Sequence, residues 1–423
     1  MFRKQLFITT VLFSMIATHV MAQTELVSAI NNKLLPLKTI EPGNDFSDLQ
    51  PLKNILKDKK LIGLGESAHG VHDFFLLKQR LLEFMVKEIG VKALFTETDF
   101  AGTKAMNDYV VDGKGDLKTA FGQLSGGVWN TQEFMDMAAW IKSYNDTKPA
   151  NEKVHFYGFD MTRGVNLART LRSYLATTNQ TDPAIEAGLA VMEKGGRSGD
   201  DDRKAISAAS AGLSKLHFGD TPDDKFYEHL VRVVAQYSDY ISPVTTNSPN
   251  EKNDLRDKYM AENMEWLYAY LGSKKAVAWS HSEHLAKKVN STGLIRAGIY
   301  LNEKFGNDYY LLGLCFNSGT IKSQPTVSNA AGIFEVSPVT MDNNTDALLA
   351  QCKSSGFILD FKTASTDPAI KSYLNQTVSS YFIGSNYAAK AATNDVFVQH
   401  KWIEGYDGIA FIRTVSAATA VRL

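Results

Sequence analysis

Only two cysteines occur in the 423 residues, Cys315 and Cys352. That count excludes a disulfide-built scaffold, a cysteine zinc site and an iron–sulfur protein. In an oxidising compartment the two thiols either pair or stay buried as core side chains. An excess of one charge is also lacking. Lys plus Arg number 45 and Asp plus Glu 46, a net charge of −1. No basic stripe offers itself to nucleic acid, and no cationic surplus to anionic lipid. Internal repeats are absent, and so are long apolar runs after residue 22. Hydrophobic residues still make up 44% of the chain and charged ones 22%. Such a chain buries a sizeable core, which excludes bulk disorder.

The N-terminus reads as a processing segment rather than as part of the fold. Arg3 and Lys4 carry positive charge, Leu6 to Val20 is mostly apolar, and Val20-Met21-Ala22 offers modest residues before Gln23. These are the three regions of a secretory signal peptide, placed at residues 1–22. The apolar run is about 15 residues, short of the ~20 that a spanning helix needs. No cysteine follows it, so a lipoprotein is not expected. The mature chain is expected to be exported, periplasmic or secreted, and free of the membrane.

Short apolar runs at Leu61–Leu64, Ala93–Thr96, Val154–Gly158, Ala276–Trp279, Tyr309–Phe316, Phe357–Phe361 and Gly408–Ile412 alternate with helical patterns. Continuous apolar runs of this length suit strands covered on both faces. The order predicts an α/β fold with a mostly parallel central sheet flanked by helices. Val71 to Ile89 shows the helical period, with Phe74, Leu77, Leu81, Phe84 and Met85 on one face. Residues 165–250 have helical spacing and few strand formers, which reads as a helical insertion or lid, or as ordinary helices packed on the sheet. Gly195 to Asp202 reads as an exposed loop. The chain thus divides into a core first part at 23–164, the insertion at 165–250 and a core second part at 251–423.

Gly63-Leu64-Gly65-Glu66-Ser67-Ala68-His69-Gly70 follows a strand and precedes a helix, the position where open parallel sheets bind ligands. Gly63-x-Gly65-x-x-Ala68 fits a dinucleotide fingerprint. However, Glu66 would aim a carboxylate at the pyrophosphate, and the next strand-end acid, Glu97, comes 34 residues after Gly63 rather than about 20. A nucleophile elbow on Ser67 fails because His69 stands where Gly is required. The third reading is a Glu-x-x-His pair, in which Glu66 orients His69 and His69 takes a proton from water. Its plain counterpart is a capping acid beside a core histidine. Glu97 ends the second strand. His281 and His284 follow the fourth, in Trp279-Ser280-His281-Ser282-Glu283-His284. This Asp/Glu/His set suits zinc or iron, and equally metal-free acid–base hydrolysis. Arg256, Tyr259 and Asn263 share one helical face, where Arg256 could bind an oxyanion. Asp160 ends the third strand and could orient a site residue.

The Gly65–Gly70 run, followed by Phe74-Phe75-x-Leu77-Lys78-x-Arg80-Leu81, resembles the start of the erythromycin esterase family. Phe95-Thr96-Glu97, Arg256-Asp257-x-Tyr259-Met260-Ala261-Glu262-Asn263, the His281 motif and Tyr406-Asp407-Gly408-Ile409-Ala410-Phe411 resemble its later segments. The resemblance spans about residues 55–415. It implies an α/β core with helical additions and metal-independent, cofactor-free hydrolysis of an ester or macrolide lactone. His69 is then the general base, Glu66 stands beside it, and Glu97 and His281 complete the polar centre. Lys78, Arg256, His284 and Tyr259 are the substrate-side candidates, and Lys78 also helps to hold the centre. The implied partner is a small-molecule ester. The same core also resembles exported ChaN-like haem- or iron-binding proteins, in which His69, His281 and His284 would be ligands and no turnover would occur.

Overall fold

The computed structural model describes residues 21–421, except 44, 125–126, 179, 181, 197–198, 243–248, 325–329, 342 and 388–395. The expected signal segment therefore lies almost wholly outside the described residues. Residues 21–33 form a helix.

Eleven strands are described: β1 (Leu35–Pro36), β2 (Leu61–Glu66), β3 (Ala93–Asp99), β4 (His155–Asp160), β5 (Ala276–His281), β6 (Tyr309–Ser323), β7 (Gly332–Val336), β8 (Gly356–Asp360), β9 (Val378–Tyr381), β10 (Phe397–His400) and β11 (Gly408–Val415). The main sheet runs β1-β8-β11-β6-β2-β5-β3-β4, with β7 pairing β6. From β11 to β4 all neighbours are parallel. β8 and β1 close one edge antiparallel. Each of the seven apolar runs is a strand of this sheet. Their period of two divides the interior. Leu61, Ala93, Phe95, Ala276, Ala278 and Leu311 face one apolar core. Ile62, Leu64, Leu94, Val277, Trp279 and Leu312 face the other. Both faces are covered by helices, which is why these strands read as unbroken apolar runs.

The helix expected from Val71 runs His72–Glu88. Between β4 and β5 come helices at Gly164–Thr178, Pro183–Glu193, Asp200–Leu213, Pro222–Tyr240 and Pro249–Tyr270. Their apolar faces (Leu171, Leu189, Ile206, Leu230) join the same core as Phe95 and Phe159. Phe226 stacks on Phe100 at 5.4 Å. The loop expected through Asp202 ends earlier. Asp200, Asp201 and Asp202 are the first turn of a helix, where three carboxylates suit the positive end of the helix dipole. Cys315 and Cys352 are both free and buried, so the disulfide alternative is not realised.

Gly70 ends the β2 loop with φ +69°. A Cβ there would stand 2.0 Å from the Lys322 carbonyl oxygen. The Gly70 carbonyl accepts from Lys322 N and Ala418 N, each at 2.9 Å. The left-handed conformation alone costs a non-glycine residue about 1–2 kcal/mol, and the clash adds to it. Gly70→Ala is therefore expected to lower the melting temperature and to displace His69 next door. Thermal unfolding and kcat on the same sample check this, and an unchanged melting temperature would contradict it.

Candidate active site

The carboxyl ends of β2, β3, β4 and β5 deliver Glu66, Glu97, Asp160 and His281 to one side of the sheet. Glu66 and His281 are ladder partners. Glu97 escapes the ladder because the β3–β4 register shifts between Thr96 and Asp99. Such irregularities re-aim a side chain. Gly65 allows the short helix Ser282–Leu285 to lie over β2, since a Cβ there would meet Ser282 Cα at 2.7 Å. These ends border an open cleft of about 420 Å³, whose walls include His69, Trp129, Glu97, Asp160, Arg256 and His281.

Beneath the cleft lies a buried chain of charge. His69 Nδ1 is 2.6 Å from Glu66 Oε1. Lys78 Nζ donates to Glu66 Oε2 at 2.7 Å, and Trp279 Nε1 donates to the same oxygen at 3.2 Å. Burial pushes the Glu66 carboxyl up, but the Lys78 charge and the His69 hydrogen bond outweigh it and hold the group at about 2. An ionised carboxylate only accepts, so His69 carries its proton on Nδ1. In the neutral ring Nε2 is then a lone-pair acceptor, and among the described residues it has no hydrogen-bond partner. Burial disfavours the imidazolium, yet Glu66 more than offsets this, and the His69 pKa lies above its ordinary value. Burial also draws Lys78 down to about 8 against the attraction of Glu66, so it stays charged at neutral pH. The Trp129 ring stands edge-on to His69 at 5.7 Å.

A second network forms the facing wall. Glu97 Oε2 accepts from Ser280 Oγ at 2.7 Å and from His281 N at 3.0 Å. Arg256 donates to Glu97 Oε1 at 3.0 Å and to Asp160 Oδ2 at 2.7 Å. Burial would raise Glu97, but His284, Arg256 and His69 hold it well below the usual carboxylate range. Arg256 Nη1 also lies 3.2 Å from His284 Nε2. His284 Nδ1 lies 2.7 Å from Asp257 Oδ1, and Arg296 donates to Asp257 Oδ2 at 3.0 Å. His284 Nε2 also stands 3.4 Å from Glu97 Oε1, so the ring is engaged by protein on both nitrogens. His281 sits 5.1 Å from His69, ring to ring. Its Nε2 donates to the Ile383 carbonyl at 3.2 Å, and its Nδ1 accepts from Glu283 N at 3.3 Å. Burial, with repulsion from His69 and His284, pushes its pKa down to about 3.

The structure therefore brings Glu66, His69, Lys78, Glu97, Arg256, His281 and His284 together. Two expectations about substrate contact change. Tyr259 does not line the cleft. Its hydroxyl donates to Asp239 at 2.7 Å on the neighbouring helix. Lys78 is fully buried under Glu66, so it holds the carboxylate and does not meet substrate. Ser67, the rejected nucleophile, is buried away from the cleft. Asp257 and Arg296 were not anticipated. Asp257 was legible only as part of a helix motif, and Arg296 carries no local signal.

The residues do not fit the metal- or haem-binding alternative. Among the described residues no group of three or more His, Cys, Asp or Glu is disposed to hold a metal ion. Both nitrogens of His281 and of His284 are engaged by protein, which leaves one open imidazole nitrogen, on His69. A haem also needs an apolar slot, and this cleft is walled by Arg163, Arg256, Asp160 and Glu97.

Residues 86–415 match the family model for erythromycin esterase. The matched span begins after Glu66, His69 and Lys78 and contains Glu97, Arg256, His281 and His284. The chain is 24% identical over 347 residues to the Escherichia coli erythromycin esterase type II, covering 72% of this chain and 80% of that one. It is 22% identical over 417 residues to the putative hydrolase YbfO of Bacillus subtilis, covering 89% and 88%. Among solved structures, a Bacillus cereus protein superposes with a TM-score of 0.78 at 22% identity, covering 95% of this chain and 99% of that one. A mutant of the erythromycin esterase EreC in its open conformation gives 0.67 at 16%, covering 92% and 99%. The structural likenesses agree with the α/β sheet described above. Together with the span of the family match, they lead to one conclusion: the chain belongs to the erythromycin esterase family of hydrolases.

Proposed function

We propose that the protein hydrolyses a carboxylic ester or lactone by direct attack of water, with His69 as the general base. The observation that carries this reading is the His69 ring, fixed through Nδ1 on Glu66 with Nε2 open to the cleft. Glu66 holds the tautomer and raises the basicity of the ring. Lys78 and Trp279 hold Glu66 in turn. Water on Nε2 loses its proton as it attacks the acyl carbon. Arg256, which lines the cleft and stays cationic, is positioned to stabilise the oxyanion. His281, neutral and tied to backbone on both nitrogens, shapes the wall beside His69 and does not shuttle protons. A macrolide lactone is the substrate that the family suggests, and its hydrolysis would inactivate the antibiotic. Residues 1–22 serve, in this reading, as an export signal.

The direct test incubates the mature protein with a 14-membered macrolide and with simple esters, and follows products by mass spectrometry. A gain of one water that survives chelator supports the reading. Absence of hydrolysis for every ester would remove it. Its pH dependence has a definite sign. His69 works as a base only when deprotonated, so kcat/KM rises with pH through a pKa above 6.5. Glu66→Gln removes the largest influence raising that pKa. The acid limb should then move to lower pH by about 1–3 units, the usual effect of a close opposite charge, with a lower plateau. A limb that stays in place would show that Glu66 does not tune His69.

A further inference from the structure

Three carboxyl groups line the cleft, and the structure treats one of them differently. Glu97 and Asp160 are both ion-paired with Arg256, at 3.0 and 2.7 Å. Glu283, in the short helix after β5, has no cation within hydrogen-bond distance. Its Oε1 accepts from Asn290 Nδ2. Its Oε2 is buried with no hydrogen bond, and the nearest cation, Arg296 Nη2, is 3.9 Å away. A buried carboxylate oxygen left without a donor is costly, whereas a protonated carboxyl carries its own donor. Burial raises the Glu283 pKa, and Arg296, Asn290 and His284 do not reverse this, while Asp257 adds to it.

Ester hydrolysis needs such a donor. An aliphatic alkoxide is a poor leaving group until it is protonated. The other candidates on the cleft are committed elsewhere. His281 and His284 have both nitrogens engaged, and Lys78 is sealed beneath Glu66.

From this placement, and resting on the His69 reading above, we propose that Glu283 is a second catalytic residue, the general acid that protonates the leaving alkoxide. Water gives one proton to His69 Nε2, and its oxygen bonds to the acyl carbon. The tetrahedral intermediate collapses, the bond from acyl carbon to alkoxy oxygen breaks, and the Glu283 proton passes to that oxygen. The proton on His69 then returns to the Glu283 carboxylate through cleft water, and no proton is gained or lost by the enzyme. This is the division of labour expected where one cleft holds groups whose environments push their pKa values apart.

The test compares two esters of one acid, an ethyl ester and a 4-nitrophenyl ester, because nitrophenolate leaves without protonation. Glu283→Gln is expected to slow the ethyl ester by about 10²-fold or more and to leave the nitrophenyl ester nearly unchanged. Equal slowing of both esters would assign Glu283 a structural role and overturn the proposal, and so would no slowing of either. Asn290→Ala, which frees Oε1 but keeps the acid, should retain most of the ethyl-ester rate. His69→Ala is run beside them. If it spares nitrophenyl hydrolysis, or if the wild type cleaves neither ester, the base reading fails and the acid falls with it. If His69→Ala abolishes turnover but Glu283→Gln shows no preference between the esters, only the acid fails.

Discussion

His69→Ala is expected to lower kcat/KM for the ester by about 10²–10⁴-fold, the usual worth of a positioned base, while the protein stays folded. The two parts of that expectation have separate causes. Activity falls because Nε2 is the open acceptor on His69 and no neighbour can replace it. His281 is 5.1 Å away ring to ring, but both its nitrogens are held by backbone groups and its pKa is near 3. The fold survives because Glu66 keeps its hydrogen bonds from Lys78 at 2.7 Å and Trp279 at 3.2 Å. The carboxylate is therefore not stranded when the imidazole is removed. Steady-state kinetics and a thermal melt on the same preparation check both parts. A well-folded variant with wild-type turnover would eliminate the mechanism.

Lys78→Met is expected to do the reverse and strike stability first. Lys78 and Glu66 are among the most buried charges in the chain. Removing one partner of such a pair leaves an uncompensated charge and costs about 3–5 kcal/mol. Adding Glu66→Gln should restore most of that loss, because a neutral amide carries no buried charge. Denaturant unfolding of the two single variants and the double variant closes the cycle. Additive losses would show that the pair is not coupled. The pH dependence follows from the depressed Glu66 carboxyl, at about 2 against an ordinary 4.5. A depressed acid contributes stability that is present above about pH 4.5 and fades as the pH falls through 2. Lys78→Met removes the largest influence lowering that pKa and leaves only the part due to His69, so the variant should lose less stability than the wild type over the same acid range.

The apolar runs at 61–64, 93–96 and 276–279 were legible as strands because burial on both faces leaves no polar position to interrupt them. The same runs carry no sign of direction. The Phe357–Phe361 run became β8, which pairs antiparallel with β11, yet its composition matches that of its parallel neighbours. The short strands β1, β7, β9 and β10 were not foreseen, since edge pairing needs few apolar residues. Glu66 and His69 were legible as a pair because three residues at a strand-to-helix turn bring two side chains to one side. The strand-end positions of Glu97, Asp160 and His281 were likewise readable. Tyr259 was misjudged because periodicity placed it beside Arg256. What it bonds depended on Asp239, 20 residues away on another helix.

The sequence by itself determined the seven strands that make up most of the main sheet, the helical layer after β4 and the pairing of Glu66 with His69, because these depend on local spacing and on which side chains avoid water. Tertiary structure decided which groups keep a proton. Lys78 became a buried counter-ion, His281 lost both nitrogens to backbone, and Glu283 Oε2 was left without a hydrogen-bond donor. The physical reason is that the charge state of a buried group is set by partners within a few ångströms. Here those partners arrive from β2, β3, β4 and β5, from the helices His72–Glu88, Pro249–Tyr270 and Ser282–Leu285, and from Arg296 just ahead of the helix Ala297–Phe305. Only folding makes them neighbours.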